Sequence, residues 1–333
     1  MKHVICLALA LCITAAIPTG VSQQGASSPF VSMMIDISGS LHPTENQSTV
    51  ERDNIKNMYN ALTKERIPST MFLTQDVSAS QLALYLTQLG LYGDIEFGIS
   101  GNSSDEKLST MPYSKQLAIL EGSKKYASAA HVCGKNEKPI TGFKPQSFDQ
   151  NEDTYRALDT MGIRYDAGFQ AGILYAPGHE KDVWPYPVEG HKFYAVPLSV
   201  YFSSGENMPL QDSYFQEHGL DASQWYNALA AKFNETRGNR EPLVFGLTTS
   251  VSGSGDYLAA LKKFISYAKS ENATFANATA LVDMAQSGSY ASGEAPVKAP
   301  STGCSTCDQK KSSETSNTTL TIFVSMNNTT NSK

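Results

Sequence analysis

The side chains in this chain with most chemical reach are six histidines, a pair of spaced cysteines and a Gly-Ser-Gly triplet. His3, His42, His131, His179, His191 and His218 are the groups able to ligate a metal or move a proton near neutral pH. His42 follows Asp36 by six residues, and His179 and His191 flank Trp184. A hydrolytic metal site could be assembled from Asp36, His42, His179 and Asp182 if the fold brought two distant loops together. Gly253-Ser254-Gly255 lacks the pattern of a nucleophile elbow, which argues against a serine hydrolase. Cys304-Ser305-Thr306-Cys307 has the spacing of half a zinc site, but a closed site needs two further ligands. A local disulfide or idle thiols is the expectation there. Asp105 and Glu106 offer oxygen alone, a poor match to the nitrogen and sulfur that zinc prefers. The stretches Trp184-Pro185-Tyr186 and Tyr201-Phe202 could offer aromatic faces to a ligand, or could simply anchor core and loops.

These residues must be positioned by an alternation of strands and helices. Phe30 to Ile37 reads as a buried first strand, and Val50 to Arg66 as a helix with Ile55, Met58 and Leu62 on one face. Pro68 stops that helix, and a strand is expected over Thr70 to Thr74. A helix over Gln81 to Leu89, a strand over Ile95 to Ile99 and a helix from Tyr113 toward Ala130 follow. Ile140 to Phe143 is strand-like. Ser147-x-x-Gln150 and Asp149-x-x-Glu152 each predict a capping box for a helix over Tyr155 to Met161. Strands are expected over Tyr165 to Phe169, Phe193 to Leu198 and Leu243 to Leu247, with a helix over Leu220 to Asn234 between the last two. Leu258, Leu261, Phe264, Ile265 and Ala268 line a final helix, with Asp256 as its expected cap. Such alternation implies parallel strands with crossover helices, in a barrel or an open doubly wound sheet.

The ends have a different character. Met1-Lys2-His3 followed by an apolar run from Val4 to Ile17 reads as a secretory signal over residues 1–22, too short for a transmembrane span. Sequons begin at Asn46, Asn102, Asn234, Asn272, Asn277, Asn317, Asn327 and Asn328, which suits an exported protein, secreted or at the cell surface. Residues 286–333 are rich in Ser, Thr, Asn, Gly, Pro and Lys and read as a linker or tail. A net charge of −6 gives no basic footprint for nucleic acid. A single domain over residues 30–285, acting as a monomer, is the expectation.

That domain resembles the polysaccharide deacetylases of the NodB type, through short motifs. The family's first strand typically ends in Thr-Phe-Asp-Asp-Gly; here it reads Met34-Ile35-Asp36-Ile37-Ser38-Gly39, with Ile37 on the metal-binding aspartate. The second motif, His-Ser/Thr-x-x-His, falls on Ser100 and Ser104 in one register and on Gly101 and Asp105 in the other. The third, Arg-x-Pro, is Lys144-Pro145 followed by Gln146, and its frame runs on to Leu158-Asp159 and Gly162-Ile163. A Trp-bearing loop corresponds to Asp182-Val183-Trp184-Pro185, and the strand that normally ends on an acid histidine ends on Leu247-Thr248.

The resemblance implies a distorted (β/α) barrel, with Asp36 as catalytic base, Lys144 in place of the arginine that orients it, and Pro145, Asp182, Trp184 and Tyr186 toward substrate. A family member would use a divalent metal such as zinc to remove acetyl groups from a polysaccharide. Here no metal ligand is assigned and no cofactor is expected. The implied partner is a polysaccharide or cell-envelope glycan, handled by a catalytically impaired relative. The alternative is an active deacetylase with a relocated metal site.

Overall fold

The computed structural model describes residues 28–37, 39, 44–79, 95–130, 139–203 and 205–289. The expected signal, the helix over residues 81–89, His42, His131, Cys133, the Cys304–Cys307 pair and the tail beyond residue 289 lie outside them. The chain divides into two compact units, Met1–Pro296 and Val297–Lys333, and every described residue belongs to the first.

The fold is α/β: one mostly parallel sheet with crossover helices. In chain order the elements begin with β1 (Phe30–Asp36), α1 (Glu45–Lys64), β2 (Ser69–Leu73), α2 (Gln75–Ala79), β3 (Ile95–Ile99) and α3 (Tyr113–Ala130). Next come β4 (Gly142–Phe143), α4 (Glu152–Met161), β5 (Tyr165–Gln170), β6 (Tyr186–Pro187) and β7 (Tyr194–Leu198). A hairpin, β8 (Val200–Ser203) and β9 (Glu206–Pro209), precedes α5 (Asp212–Glu217), α6 (Ala222–Asn239) and β10 (Pro242–Thr248). The described part closes with α7 (Thr249–Ser252), α8 (Gly255–Ser270), β11 (Thr274–Phe275) and α9 (Ala278–Ser287).

The strand order is β10-β1-β2-β3-β4-β5-β7-β6, with β11 also on β1, and all pairs are parallel except β6 with β7. β1 is buried along its whole length because both of its faces are covered, which explains why it reads as a continuous apolar run. One face supplies an inner cluster of Met34, Phe72, Tyr165, Ala167, Val196, Leu198 and Val244. The other packs under the helices through Val31, Met33, Ile35, Leu62, Phe245, Leu261 and Phe264. Among the described residues no ladder joins β7 to β10. Instead Ser199 N–H donates to the Val244 carbonyl at 2.8 Å, and Gly246 N–H donates to the Leu210 carbonyl at 2.8 Å. These bonds draw the two ends of a strongly curled sheet together.

Several helix starts differ from expectation. α1 begins ahead of Val50, because Thr44 accepts from Gln47 N–H at 3.3 Å while the Gln47 side chain accepts from Thr44 N–H at 2.9 Å. α4 is capped by Asn151 with Thr154, not by Ser147 or by Asp149, whose side chain bonds Ser109 instead. α8 starts from Ser254, and Asp256 lies inside its first turn.

Beyond the expected last helix, β11 and α9 complete the domain. α9 covers the entry ends of the parallel strands. Its first turn is held by Glu96 on β3, which accepts from Thr279 N–H at 3.1 Å, Thr279 Oγ1 at 2.6 Å and the Tyr165 hydroxyl at 2.8 Å. Carboxylate at a helix N-terminus also opposes the positive end of the helix dipole. Ala278, Leu281, Val282 and Met284 then join the inner cluster. Replacing Glu96 by Ala leaves these donors without an acceptor and should cost about 3 kcal/mol, while Glu96→Gln should cost about 1 kcal/mol. Urea unfolding of the two variants checks that ordering.

Candidate functional site

Asp36 is the last residue of β1 and stands in register with Thr248 of β10 on one side and Phe72 of β2 on the other. Lys144 follows β4, three strands away in the sheet. In a flat sheet three strand spacings amount to about 14 Å. Yet Lys144 Nζ lies 2.6 Å from Asp36 Oδ2, so the sheet must curl for the two to meet across its mouth. Both are buried, Lys144 at 1% exposure and Asp36 at 9%. Asp36 Oδ1 has no hydrogen-bond partner.

The loop carrying Lys144 is held tightly. Ser100, at the end of β3, donates from Oγ to the Lys144 carbonyl at 2.6 Å and accepts from Gln146 Nε2 at 2.6 Å. Asp149 accepts from Ser109 N–H at 2.9 Å and Ser109 Oγ at 2.5 Å. Between these anchors Ser147 (φ 51°) and Phe148 (φ 57°) both take the left-handed conformation. Such backbone costs on the order of 1–3 kcal/mol per residue. It brings the Phe148 ring to 4.9 Å from the Lys144 ammonium, a cation–π contact. Pro145 packs on Gly168, where a Cβ would stand 2.6 Å from the proline ring.

Two further buried carboxyls support this end of the sheet. Asp166 on β5 accepts from Gly168 N–H at 2.7 Å. Burial pushes its pKa up to about 8, against the opposing pull of that N–H and of the Lys144 charge. Gln150 stands within hydrogen-bonding reach of it, and Asp166 Oδ2 and Gln150 Oε1 are both buried without a donor. A proton on Asp166 supplies the missing one. Asp212, at the start of α5, accepts from Ser213 N–H at 2.7 Å and from Thr248 N–H at 2.9 Å, and burial pushes it up to about 7. Asp166 was detectable in principle, as an acid inside the apolar run Tyr165 to Phe169. Asp212 had no local signal.

Asp36 lies in a cleft of about 620 Å³. Its walls include Ile37, Phe148, Tyr214 and Thr248, and the side-chain amides of Gln146, Gln170, Asn207, Gln211 and Gln216. Other expected site residues are elsewhere. Trp184 packs edge-on against Phe30, the first residue of β1, at 5.7 Å, and its Nε1 donates to the Arg240 carbonyl. Six residues of strand separate Phe30 from Asp36, roughly 20 Å, so Trp184 does not share the cleft. It covers the inner cluster near the seam where no ladder joins β7 to β10. Tyr186 is buried in the outer layer, where its hydroxyl accepts from Ala176 N–H at 3.2 Å and its ring stacks on His179 at 4.0 Å. Asp182 pairs with His179 at 2.6 Å and, like it, does not line the cleft. His191 is held by Asp159 at 2.8 Å.

Among the described residues, the groups at Asp36 do not fit a divalent metal. Ile37 has no donor atom. Ser100 is committed at both its hydrogen and its oxygen. A side chain at Gly101 would meet the Glu106 carboxylate, since a Cβ there lies 2.2 Å from Oε2. Asp105 is exposed and bonded to Ser103 at 2.7 Å. The position beside Asp36 is already held by an ammonium. Among the described residues no three His, Cys, Asp or Glu side chains gather as a metal site, so Asp36, His179 and Asp182 do not form the relocated set.

Removing one partner of a buried pair strands the other charge. Asp36→Asn or Lys144→Met should each cost about 3 kcal/mol, whereas the double variant should lose far less than their sum. Urea unfolding of the three variants measures the coupling. Asp166 and Asp212 hold their protons far above the ordinary carboxyl range when folded. Their contribution to stability is complete below pH about 4 and is lost as pH rises through about 7 to 8. The urea midpoint should therefore fall over that window, and Asp166→Asn should flatten the upper part of the fall.

No family model matches the sequence, and no curated protein matches it. Solved structures do. A protein from Pseudomonas aeruginosa PAO1 assigned as a polysaccharide deacetylase superposes with a TM-score of 0.61 at 14% identity, over 78% of this chain and 91% of that one. The Puue allantoinase superposes with a TM-score of 0.61 at 14% identity, over 79% and 92%. A CE4-family pseudoenzyme from Bacillus anthracis does so with a TM-score of 0.50 at 12% identity, over 78% and 66%. At such identities the likeness is one of fold: this chain has the fold of the polysaccharide deacetylases.

Proposed function

We propose that the protein is an exported, glycan-binding relative of the polysaccharide deacetylases that no longer performs metal-dependent deacetylation. The observation that carries this reading is the ion pair at the mouth of the sheet. Asp36, the residue in the position of the base, is bonded to Lys144 at 2.6 Å, beside Ile37 and across from Thr248. Deacetylation needs a polarised carbonyl, an activated water and an acid for the leaving amine or alcohol. Lys144 can orient a carboxylate but cannot lower the pKa of a water as a metal does. A threonine hydroxyl at position 248 does not supply the proton that an imidazole would. That one structure of this fold is named a pseudoenzyme supports the reading, and the allantoinase shows that the fold is used for more than one substrate class.

What remains suits recognition. The cleft combines neutral amides with the Phe148 and Tyr214 rings. The apolar N-terminal run and the sequons support export to the surface or the medium. Among the described residues no helix is long and apolar enough to cross a membrane.

The purified protein should carry zinc far below one ion per chain. It should release no acetate from acetylated xylan or chitooligosaccharides, and calorimetry should show binding of a glycan without turnover. Stoichiometric zinc whose chelation abolishes acetate release would overturn the proposal.

A further inference from the structure

Five side-chain amides line the cleft at Asp36, and one of them differs from the rest. Asn207 and Gln216 are exposed, and Gln211 is half-buried. Gln146 spends its Nε2 on Ser100 Oγ at 2.6 Å. Gln170 is the buried one, at 8% exposure, and its side-chain amide has no hydrogen-bond partner among the described residues. Asp36 Oδ1 and Gln150 Oε1 are unpartnered too, but they are sealed from solvent, whereas neither the oxygen nor the nitrogen of the Gln170 amide is. Both ends of that amide open on the cleft that Gln170 lines.

The backbone holds this side chain in place. Gln170 ends β5, in register with Leu198 of β7. Its N–H donates to the Leu174 carbonyl at 2.8 Å, and its carbonyl accepts from the N–H groups of Ile173 at 3.1 Å and Leu174 at 3.0 Å. Gly172, with a φ of 71°, makes that turn possible. A buried amide without a partner is unfavourable, and folded proteins keep few of them. A ligand that fills the cleft and bonds the amide removes the penalty.

A primary amide presents one acceptor and one donor side by side. A carboxylate meets the donor but repels Oε1, and an ammonium meets Oε1 alone. An acetamido group points its N–H and its carbonyl in opposite directions, so it bonds one end at a time. Two adjacent hydroxyls of a sugar ring satisfy both ends, one donating to Oε1 and the other accepting from Nε2. We propose that Gln170 is the specificity-determining residue of the cleft and takes a pair of free vicinal hydroxyls, so that the glycan is one whose ring hydroxyls are unsubstituted. This deepens the glycan-binding reading and rests on it. Xylose and glucose units linked β-1,4 keep two adjacent free hydroxyls, whereas in N-acetylglucosamine an acetamido group replaces one of that pair. The preferred ligand thus lacks the acyl group on which a deacetylase acts.

Calorimetry with the β-1,4-linked tetramers of xylose, glucose and N-acetylglucosamine tests this on the wild type, Gln170→Met and Val50→Ala, the last an exposed control on α1. The wild type should bind the xylose or the glucose tetramer more tightly than the N-acetylglucosamine tetramer. Gln170→Met, close in volume but without donor or acceptor, should weaken the preferred tetramer about tenfold and erase the preference, while Val50→Ala keeps both. Without ligand, Gln170→Met should melt at or above the wild-type temperature, because the amide it removes has no partner in the protein. A lower melting temperature would place the amide in a bond within the protein and overturn the assignment. A preference for the acetamido tetramer, or selectivity that survives Gln170→Met, overturns it as well. Each of these three results leaves the glycan reading standing. A wild type that binds none of the tetramers overturns both.

Discussion

The contact between Asp36 and Lys144 is the constraint around which the site is arranged. It spans the mouth from the end of β1 to the residue after β4, and can form only on a sheet curled through the strands between. An ion pair taken out of water gains little net stability against a well-packed apolar pair. Its worth lies in specificity: each charge is tolerable only where the other is. The surrounding polar groups serve that pairing, with Ser100 and Gln146 holding the Lys144 backbone and Phe148 set beneath the ammonium by two left-handed residues. Strain of this kind persists where neighbouring contacts over-determine the backbone.

The same contact decides what the site can do. A cation supplied by the chain is fixed in charge and stoichiometry, and offers no open coordination position to a substrate oxygen. Lys144 holds one oxygen of Asp36, and the other has no hydrogen-bond partner. Burial raises the pKa of Asp166 to about 8 and that of Asp212 to about 7, which lessens the negative charge they would otherwise bring to the mouth. The amide-rich walls are then free to bond in either sense without a charge to desolvate.

Much of the fold was legible in the sequence, because strands buried on both faces read as apolar runs and amphipathic helices repeat at helical spacing. Phe30 to Asp36 and the face Leu258, Leu261, Phe264 and Ile265 are examples. Asp36 and Lys144 were legible as candidates through the motifs that frame them. Their pairing was not, since it depends on the curl of the sheet between them. Trp184 was misplaced because an aromatic in a loop looks the same whether it faces ligand or seals a seam. β11 was missed because Thr274–Phe275 is too short to show a period; α9 starts on a local cap, Asn277, which accepts from Ala280 N–H at 2.9 Å, and Glu96 on a distant strand adds to it. Three of the five cleft amides, Asn207, Gln211 and Gln216, come from the stretch after β7, where the sequence shows no periodic signal to place them.

The position of β1 sets the order in which the molecule can be completed. The first strand lies between β2 and β10 and also takes β11, so it waits for partners more than 200 residues downstream. Chain closure over such a span is entropically slow, and native pairings of high sequence separation form late. While residues 242–287 are still to be synthesised, β1 has one open edge and its inner face lacks α9. An incomplete chain thus exposes an unpaired apolar strand, which invites association with other chains unless something covers it. Completion of the sheet is thereby tied to the emergence of β10, β11 and α9, the last of its described elements.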